Sequence, residues 1–292
     1  MAADRAATLI ALQDRRGFFA SEVDGQPDRN GFATVQVLRA LGPRARRVLG
    51  TGAWSAALGA LRACRNPATG AFRFWPIGER PRWAPDLPDD ADDTALMAVA
   101  LWSAGALPAA DLRRLACYTV VRHRLAAIVQ PGPAWPRVGA FKTWMRPGLE
   151  PDMADCTVNA NVVAMLAAAG LTRVPGYGEA CAMIDDAVRW AGHDAVRAAT
   201  LSPFYPEPGE LVLAVEAAVA AGAEPLRSIA LLMEHSPLWR EQRRRACAPD
   251  PVICGSPYGR VTWRSKAVGI ARAAELDPIE ALRCESSSHS IR

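Results

Sequence analysis

No run of about 18 apolar residues occurs in this chain, which excludes a membrane-spanning helix. The N-terminal stretch MAADRAATLIALQDRR lacks both a long apolar core and a cleavage site, so it reads as an amphipathic helix and not a signal peptide. There is no CxxC pair and no Cys/His cluster with zinc spacing. The seven cysteines (Cys64, Cys117, Cys156, Cys181, Cys247, Cys254 and Cys284) are odd in number and widely spread. They read as reduced core residues of a cytoplasmic protein, not as a disulfide framework. Neither sign of charge dominates: 34 basic residues face 30 acidic ones, a net charge of +4. That balance is too even to imply nucleic-acid binding. The one Arg-rich stretch, WREQRRRACAPD at 239–250, lacks interleaved aromatics and glycines and reads as a solvated helix end or loop. Strand-like alternation is also scarce.

What is present is helix-forming and repetitive. Half of the 292 residues are apolar, enough to bury a sizeable core, and alanine is abundant. The string Gly70-Ala-Phe72-Arg-Phe-Trp75 recurs as Gly139-Ala-Phe141-Lys-Thr-Trp144. Each copy is followed by a Pro-rich loop and then an apolar helix that stops at Gly105 or Gly170, so that Asp90 aligns with Asp155 and Thr94 with Asn159. A weaker copy opens at Gly17-Phe18-Phe19, with its helix at 32–41. Degenerate copies lie at 202–222 and 255–276. Charged helices are expected between the units, near 51–63, 109–128, 178–198 and 224–235. Helices apolar on every side are buried on every side, so the array is expected to curl shut. The predicted fold is all-α: an (α/α) toroid of five to six helical hairpins, with inner and outer helix rings. It spans 1–283 as a single domain, followed by a frayed tail at 284–292. The aromatic turns are expected to emerge together at one end of the ring, where a rigid scaffold leaves room for function.

At that end five aspartates crowd into eight residues: Asp86, Asp89, Asp90, Asp92 and Asp93, directly before TALMAVALW. Carboxyl groups held this close cannot all ionise, and at least one keeps its proton to higher pH. One or two of them are expected simply to cap the following helix.

The string Asp90-Ala91-Asp92-Asp93-Thr94-Ala95 resembles the DxDD motif of class II terpene cyclases, the group that includes squalene–hopene cyclases. The repeated glycine–aromatic turns are similar to those of the same α/α-toroid superfamily, shared with protein prenyltransferase β-subunits. The resemblance implies a cytoplasmic cyclase or isomerase of secondary isoprenoid metabolism that needs no cofactor. Asp92 would be the general acid that protonates an alkene or epoxide, with Asp90 and Asp93 as supporting carboxyls. Its partner would be an apolar isoprenoid-type small molecule, with no nucleic acid, and peripheral membrane contact stays open. An aromatic-lined pocket would steady the cations. Its candidate residues are Phe72, Trp75, Trp83, Phe141, Trp144, Tyr205, Tyr258 and Trp263. Full-length cyclases of this class usually use two toroids, whereas this chain has room for one. Members also orient the acid with a histidine or a comparable donor. His123 and His193 sit among outer-ring residues, so Asn159 and Asn161, alongside Asp155 on the next inner helix, are the better-placed polar groups. Arg73, Arg80, Arg82, Arg137 and Arg146 lie near the loops and could hold a diphosphate.

Three other readings use the same residues. Asp89, Asp90 and Asp93 also satisfy DDxxD, the magnesium–diphosphate motif of class I isoprenoid synthases, though the C-terminal half supplies no second metal motif. Asp92 opposed to Asp155 would suit an (α/α)-barrel glycosidase. A non-catalytic toroid that binds an apolar ligand or a partner protein would use the aspartates only as a cap and an acidic rim.

Overall fold

The computed structural model describes residues 2–128, 132–146 and 152–273. Two rings of helices alternate along the chain. The outer helices are α1 (Ala2–Ala11), α3 (Ala45–Ala63), α5 (Ala109–Tyr118), α7 (Tyr177–Ala191), α10 (Arg227–His235) and α11 (Pro237–Ala246). The inner ones are α2 (Gly31–Leu41), α4 (Ala91–Ser103), α6 (Cys156–Ala168), α9 (Gly209–Ala220) and α12 (Lys266–Ala273), and a single turn, α8 (Ala195–Ala198), precedes α9. Helix α2 packs on α4, α4 on α6 and α6 on α9, while α12 packs back on α2. A buried ion pair from Arg272 to Glu210 joins α12 to α9, with Nη1 at 2.6 Å and Nη2 at 2.9 Å from the carboxylate oxygens. The inner ring therefore closes, as the bare apolar helices predicted. Each outer helix leans on the inner helices beside it: α3 on α2 and α4, α5 on α4 and α6, α7 on α6, α10 and α11 on α9. At the crossing of α2 and α4, Gly31 leaves only enough space for Met97 and Cys64; a Cβ there would lie 2.6 Å from Met97 Cε.

The all-α expectation misses a small antiparallel sheet: β1 (Ser21–Val23), β2 (Gln26–Asp28), β3 (Val252–Gly255) and β4 (Thr262–Arg264), in the order β2-β1-β4-β3. Strands of three or four residues leave too short an alternation to read, and β1 pairs with β4 across most of the chain length. The Arg-rich stretch forms the end of α11 and the turn after it; Trp239, Gln242 and Ala246 are buried, while Arg243 and Arg245 pair outward with Glu216 and Glu207. Cys284 and the expected tail lie outside the described residues, as does the end of the unit at 255–276. Among the described residues no helix is long and apolar enough to cross a membrane.

The repeat has a structural meaning. In each of the first three units a short polar residue caps the inner helix, and a residue four positions later accepts the backbone N–H of the aromatic turn. Asn30 caps α2 while Thr34 Oγ1 accepts from Phe19 N at 3.0 Å. Asp90 caps α4 while Thr94 Oγ1 accepts from Phe72 N at 2.9 Å. Asp155 caps α6 while Asn159 Oδ1 accepts from Phe141 N at 2.8 Å. A buried N–H in a turn must find an acceptor, and this brace supplies it.

Candidate active site

The acidic segment is clamped between the two aromatic turns. Asp90 N donates to Phe72 O at 3.1 Å, Ala91 N to Thr143 O at 2.9 Å, and Met145 N to Asp89 O at 2.9 Å. This places the first turn of α4 on the floor of a cavity of about 330 Å³. Asp90, Asp92 and Asp93 all line it, under walls of Phe32, Phe74, Trp75, Trp83, Trp144, Phe204, Tyr205 and Trp263. Trp83 stands at the mouth, 56% exposed. The rings form two groups: Phe74, Trp75, Trp83 and Trp263 contact one another edge-on or tilted, with Phe32 stacked on Phe74 and tilted against Tyr205, and Trp144 meets Phe204 edge-on at 5.4 Å.

The three carboxyl groups differ in what holds them. Asp90 Oδ1 accepts the N–H groups of Asp92 at 2.6 Å and Asp93 at 3.1 Å, so it is the helix cap. Asp92 Oδ1 accepts from Asn161 Nδ2 at 2.7 Å, and Asp92 Oδ2 pairs with the Tyr205 hydroxyl. The Asn161 amide can face only one way, because its Oδ1 accepts from Arg39 Nη1 at 3.1 Å and a guanidinium only donates. Asp93 Oδ1 is buried with no hydrogen-bond partner. Burial raises all three acids above the usual carboxylate range. Asp90 and Asp93 are pushed furthest, burial being reinforced by the neighbouring aspartates. Asp92 is pulled part of the way back by Tyr205, Asn161 and the Arg39 charge. The Tyr205 hydroxyl is itself held protonated, by burial and by the adjacent Asp92.

Of the residues expected in the pocket, Trp75, Trp83, Trp144, Tyr205 and Trp263 line it, and Asn161 reaches it through Asp92. Phe72 and Phe141 do not. Both are fully buried behind the wall, Phe72 beneath the Arg65 guanidinium and Phe141 against the backbone of Gly176. Asp155 and Asn159 are likewise scaffold: Asp155 caps α6 and accepts Phe204 N at 3.1 Å, and Asn159 is spent on Phe141 and Asp155 O. The side chain of Tyr258 lies outside the described residues. The DDxxD set does not assemble. The Asp89 carboxylate accepts from Asn66, Thr69 and Arg73, while Asp93 faces the cavity. The opposed pair of a glycosidase is not formed either, since Asp155 does not line the cavity. The arginines are dispersed: Arg73 holds Asp86 and Asp89, Arg80 holds Ala84 O, and Arg137 pairs with Asp186 on α7. His123 is half-buried away from the cavity floor, its pKa lowered by burial.

No family model and no curated protein matches the sequence. Solved structures do. Its structural neighbours include a type II terpene cyclase. A point variant of the cyclase MstE from Scytonema superposes with a TM-score of 0.44 at 14% identity, over 95% of this chain and 96% of that one. Apo MstE itself gives 0.42 at 15% identity, over 97% and 98%. A protein from Actinoplanes gives 0.47 at 14% identity, over 99% of this chain and 80% of that one.

Sequence reasoning missed Phe32, Phe74, Phe204 and Arg39. Phe32 occupies an ordinary helix context and carried no signal, whereas Phe74 and Phe204 lie inside copies of the aromatic turn. Arg39 carried a signal too: it is the only cation in the apolar run GFATVQVLRAL, and a charge on an inner helix needs an internal partner.

Proposed function

We propose that this chain is a proton-initiated cyclase or isomerase of an isoprenoid, with Asp92 as the general acid. The observation that carries the reading is the unequal treatment of three neighbouring carboxyl groups on the floor of an aromatic, apolar cavity. Protonating an alkene demands a strong acid, and acid strength is the stability of the conjugate base. Asp92 is the member of the trio whose anion is already cradled, by Tyr205 at one oxygen and by Asn161, backed by Arg39, at the other. Each carboxyl oxygen accepts one hydrogen bond, Oδ1 from Asn161 and Oδ2 from Tyr205, and the transferable proton occupies a remaining lone pair of the group. It passes to the terminal carbon of the substrate double bond, whose electron pair forms the new C–H bond and leaves a carbocation on the adjacent carbon. Attack by a second double bond closes a ring, and loss of a proton ends the sequence with no net change in composition. The preorganised donors need no rearrangement as the charge appears, and the ring faces stabilise the cation.

The cavity volume supports a small substrate. At about 330 Å³ it lies at the small end of the roughly 300–1,000 Å³ of ligand sites, which suits a chain of about 10–15 carbons better than one of about 30. Asp92→Asn keeps the shape and the Asn161 bond but removes the acid. Turnover of a 10- or 15-carbon polyprenyl substrate is expected to fall about 10²–10⁴-fold, with the fold intact by circular dichroism. Unchanged product formation ends the assignment. Turnover that stops with a chelator points instead to diphosphate ionisation. An apolar ligand bound by the wild type without any turnover assigns the ring to binding.

A further inference from the structure

Two of the tryptophans that line the cavity are tied to one buried carboxylate outside it. Trp263 Nε1 donates to Asp28 Oδ2 at 2.8 Å, and Trp75 Nε1 donates to Asp28 Oδ1 at 3.1 Å and to Oδ2 at 3.3 Å. Asn30 Nδ2 completes the set on Oδ2 at 2.8 Å. Asp28 is buried at the end of β2, Trp263 lies on β4, and Trp75 ends an aromatic turn. Three separate segments therefore meet on one acidic side chain. Asp28 is not among the cavity-lining residues, while both indoles are.

An asparagine or serine would serve as well if the role were only to satisfy two indole N–H groups. A carboxylate does something more. A negative charge at the N–H edge of an indole polarises the ring and enriches its face in electron density, and hydrogen-bonded groups reinforce one another in a low-dielectric interior. The attraction of a cation to an aromatic face is electrostatic, so it grows with that density. We infer that Asp28 is a positioning residue that both fixes Trp75 and Trp263 in the cavity wall and charges them electronically as a receptor for cations. This deepens the proton-initiated reading and rests on it.

The test measures affinity, not turnover. Two probes of equal length are compared by calorimetry: a decyl chain ending in trimethylammonium, and the matching neutral tertiary alcohol. The wild type is expected to bind the ammonium more tightly. Asp28→Asn should cut that preference about five- to tenfold while leaving the affinity for the alcohol within about twofold. A folded Asp28→Asn protein with the wild-type preference overturns the inference and leaves Asp92 untouched. If Asp28→Asn does not fold, the double variant Trp75→Phe with Trp263→Phe keeps two rings but no N–H donors, and an undiminished preference there overturns the inference equally. A wild type with no ammonium preference defeats the cation-handling reading of the cavity itself.

Discussion

At the residue scale, the candidate site lies where the repeat is broken. Positions that recur in register are braces: Asn30, Asp90 and Asp155 as caps, and Thr34, Thr94 and Asn159 as acceptors for the aromatic turns. Two and three residues beyond the cap, the first unit has Phe32 and Ala33, the third has Thr157 and Val158, and the second has Asp92 and Asp93. Two carboxyl groups at positions where the sister units carry apolar or hydroxyl side chains have no scaffold role to account for them. The acidic motif was therefore legible in the sequence. Asp155 and Asn159 were misjudged because alignment to a functional unit cannot separate what is shared for folding from what is added for chemistry. The Tyr205 bond to Asp92 was not legible, because 113 residues separate the partners. That bond and the one from Asn161 both favour the carboxylate form, so removing either raises the Asp92 pKa. On the proposed mechanism activity requires protonated Asp92 and declines as pH rises through its pKa. The alkaline limb of the rate profile in Tyr205→Phe and Asn161→Ala is therefore expected to move to higher pH. The plateau should fall about 10–100-fold, because the conjugate base has lost a charge-assisted hydrogen bond. A limb that stays in place while the rate falls would mean that these residues merely shape the cavity.

At the element scale, each inner helix hangs from its cap, and the cap of α6 has a pH signature. Burial pushes the Asp155 carboxyl up to about 7, against the N–H groups of Val158 and Phe204 that favour its anion. Its folded pKa lies above the unfolded value of about 3.9. The folded state therefore holds the proton more tightly, and the stabilisation this brings is full below about pH 4 and is lost as pH rises to about 7. Asp155→Asn does not titrate, and an amide can still cap the helix. The unfolding free energy of the wild type relative to Asp155→Asn, taken from urea titrations, should accordingly shrink by a few kcal/mol between pH 4.5 and 7.5; a difference that grows over this range reverses the sign of the argument. The helices themselves were largely readable, since glycine stops and apolar runs are local signals. The inner helix of the second unit ends at Ser103, just short of Gly105, and that of the third at Ala168, just short of Gly170. Elements set by distant partners were not readable. β1–β2 and β3–β4 are local hairpins that become one sheet only where β1 meets β4, and α11 hides a buried stripe of Trp239, Gln242 and Ala246 beneath its arginines.

At the scale of the whole molecule, a ring of hairpins has one seam, where its last helix meets its first and its fourth. Here the seam is α12, which packs on α2 and α1 and is bound to α9 through Arg272 and Glu210. Both side chains are almost wholly buried, and Arg272 also donates to Ala246 O at 2.7 Å and to Gln36 Oε1 at 3.3 Å. Such a pair contributes little net stability compared with apolar residues of the same size, but losing one partner strands the other charge. Arg272→Met should therefore destabilise the protein by about 3–5 kcal/mol, and Arg272→Met combined with Glu210→Leu should recover most of that loss. The seam also bears on the cavity. Glu210 lies in the first turn of α9, five residues after Tyr205, and Ser265, just before α12, ties Trp263's strand to Ala20 O at 2.7 Å. An unzipped seam would move the Asp92 partner and the tryptophan wall together. The single variant should then lose activity at temperatures below its melting transition, while the double variant regains stability and activity in parallel. Recovery of stability without recovery of activity would show that the ion pair sets the geometry of the site as well as closing the ring.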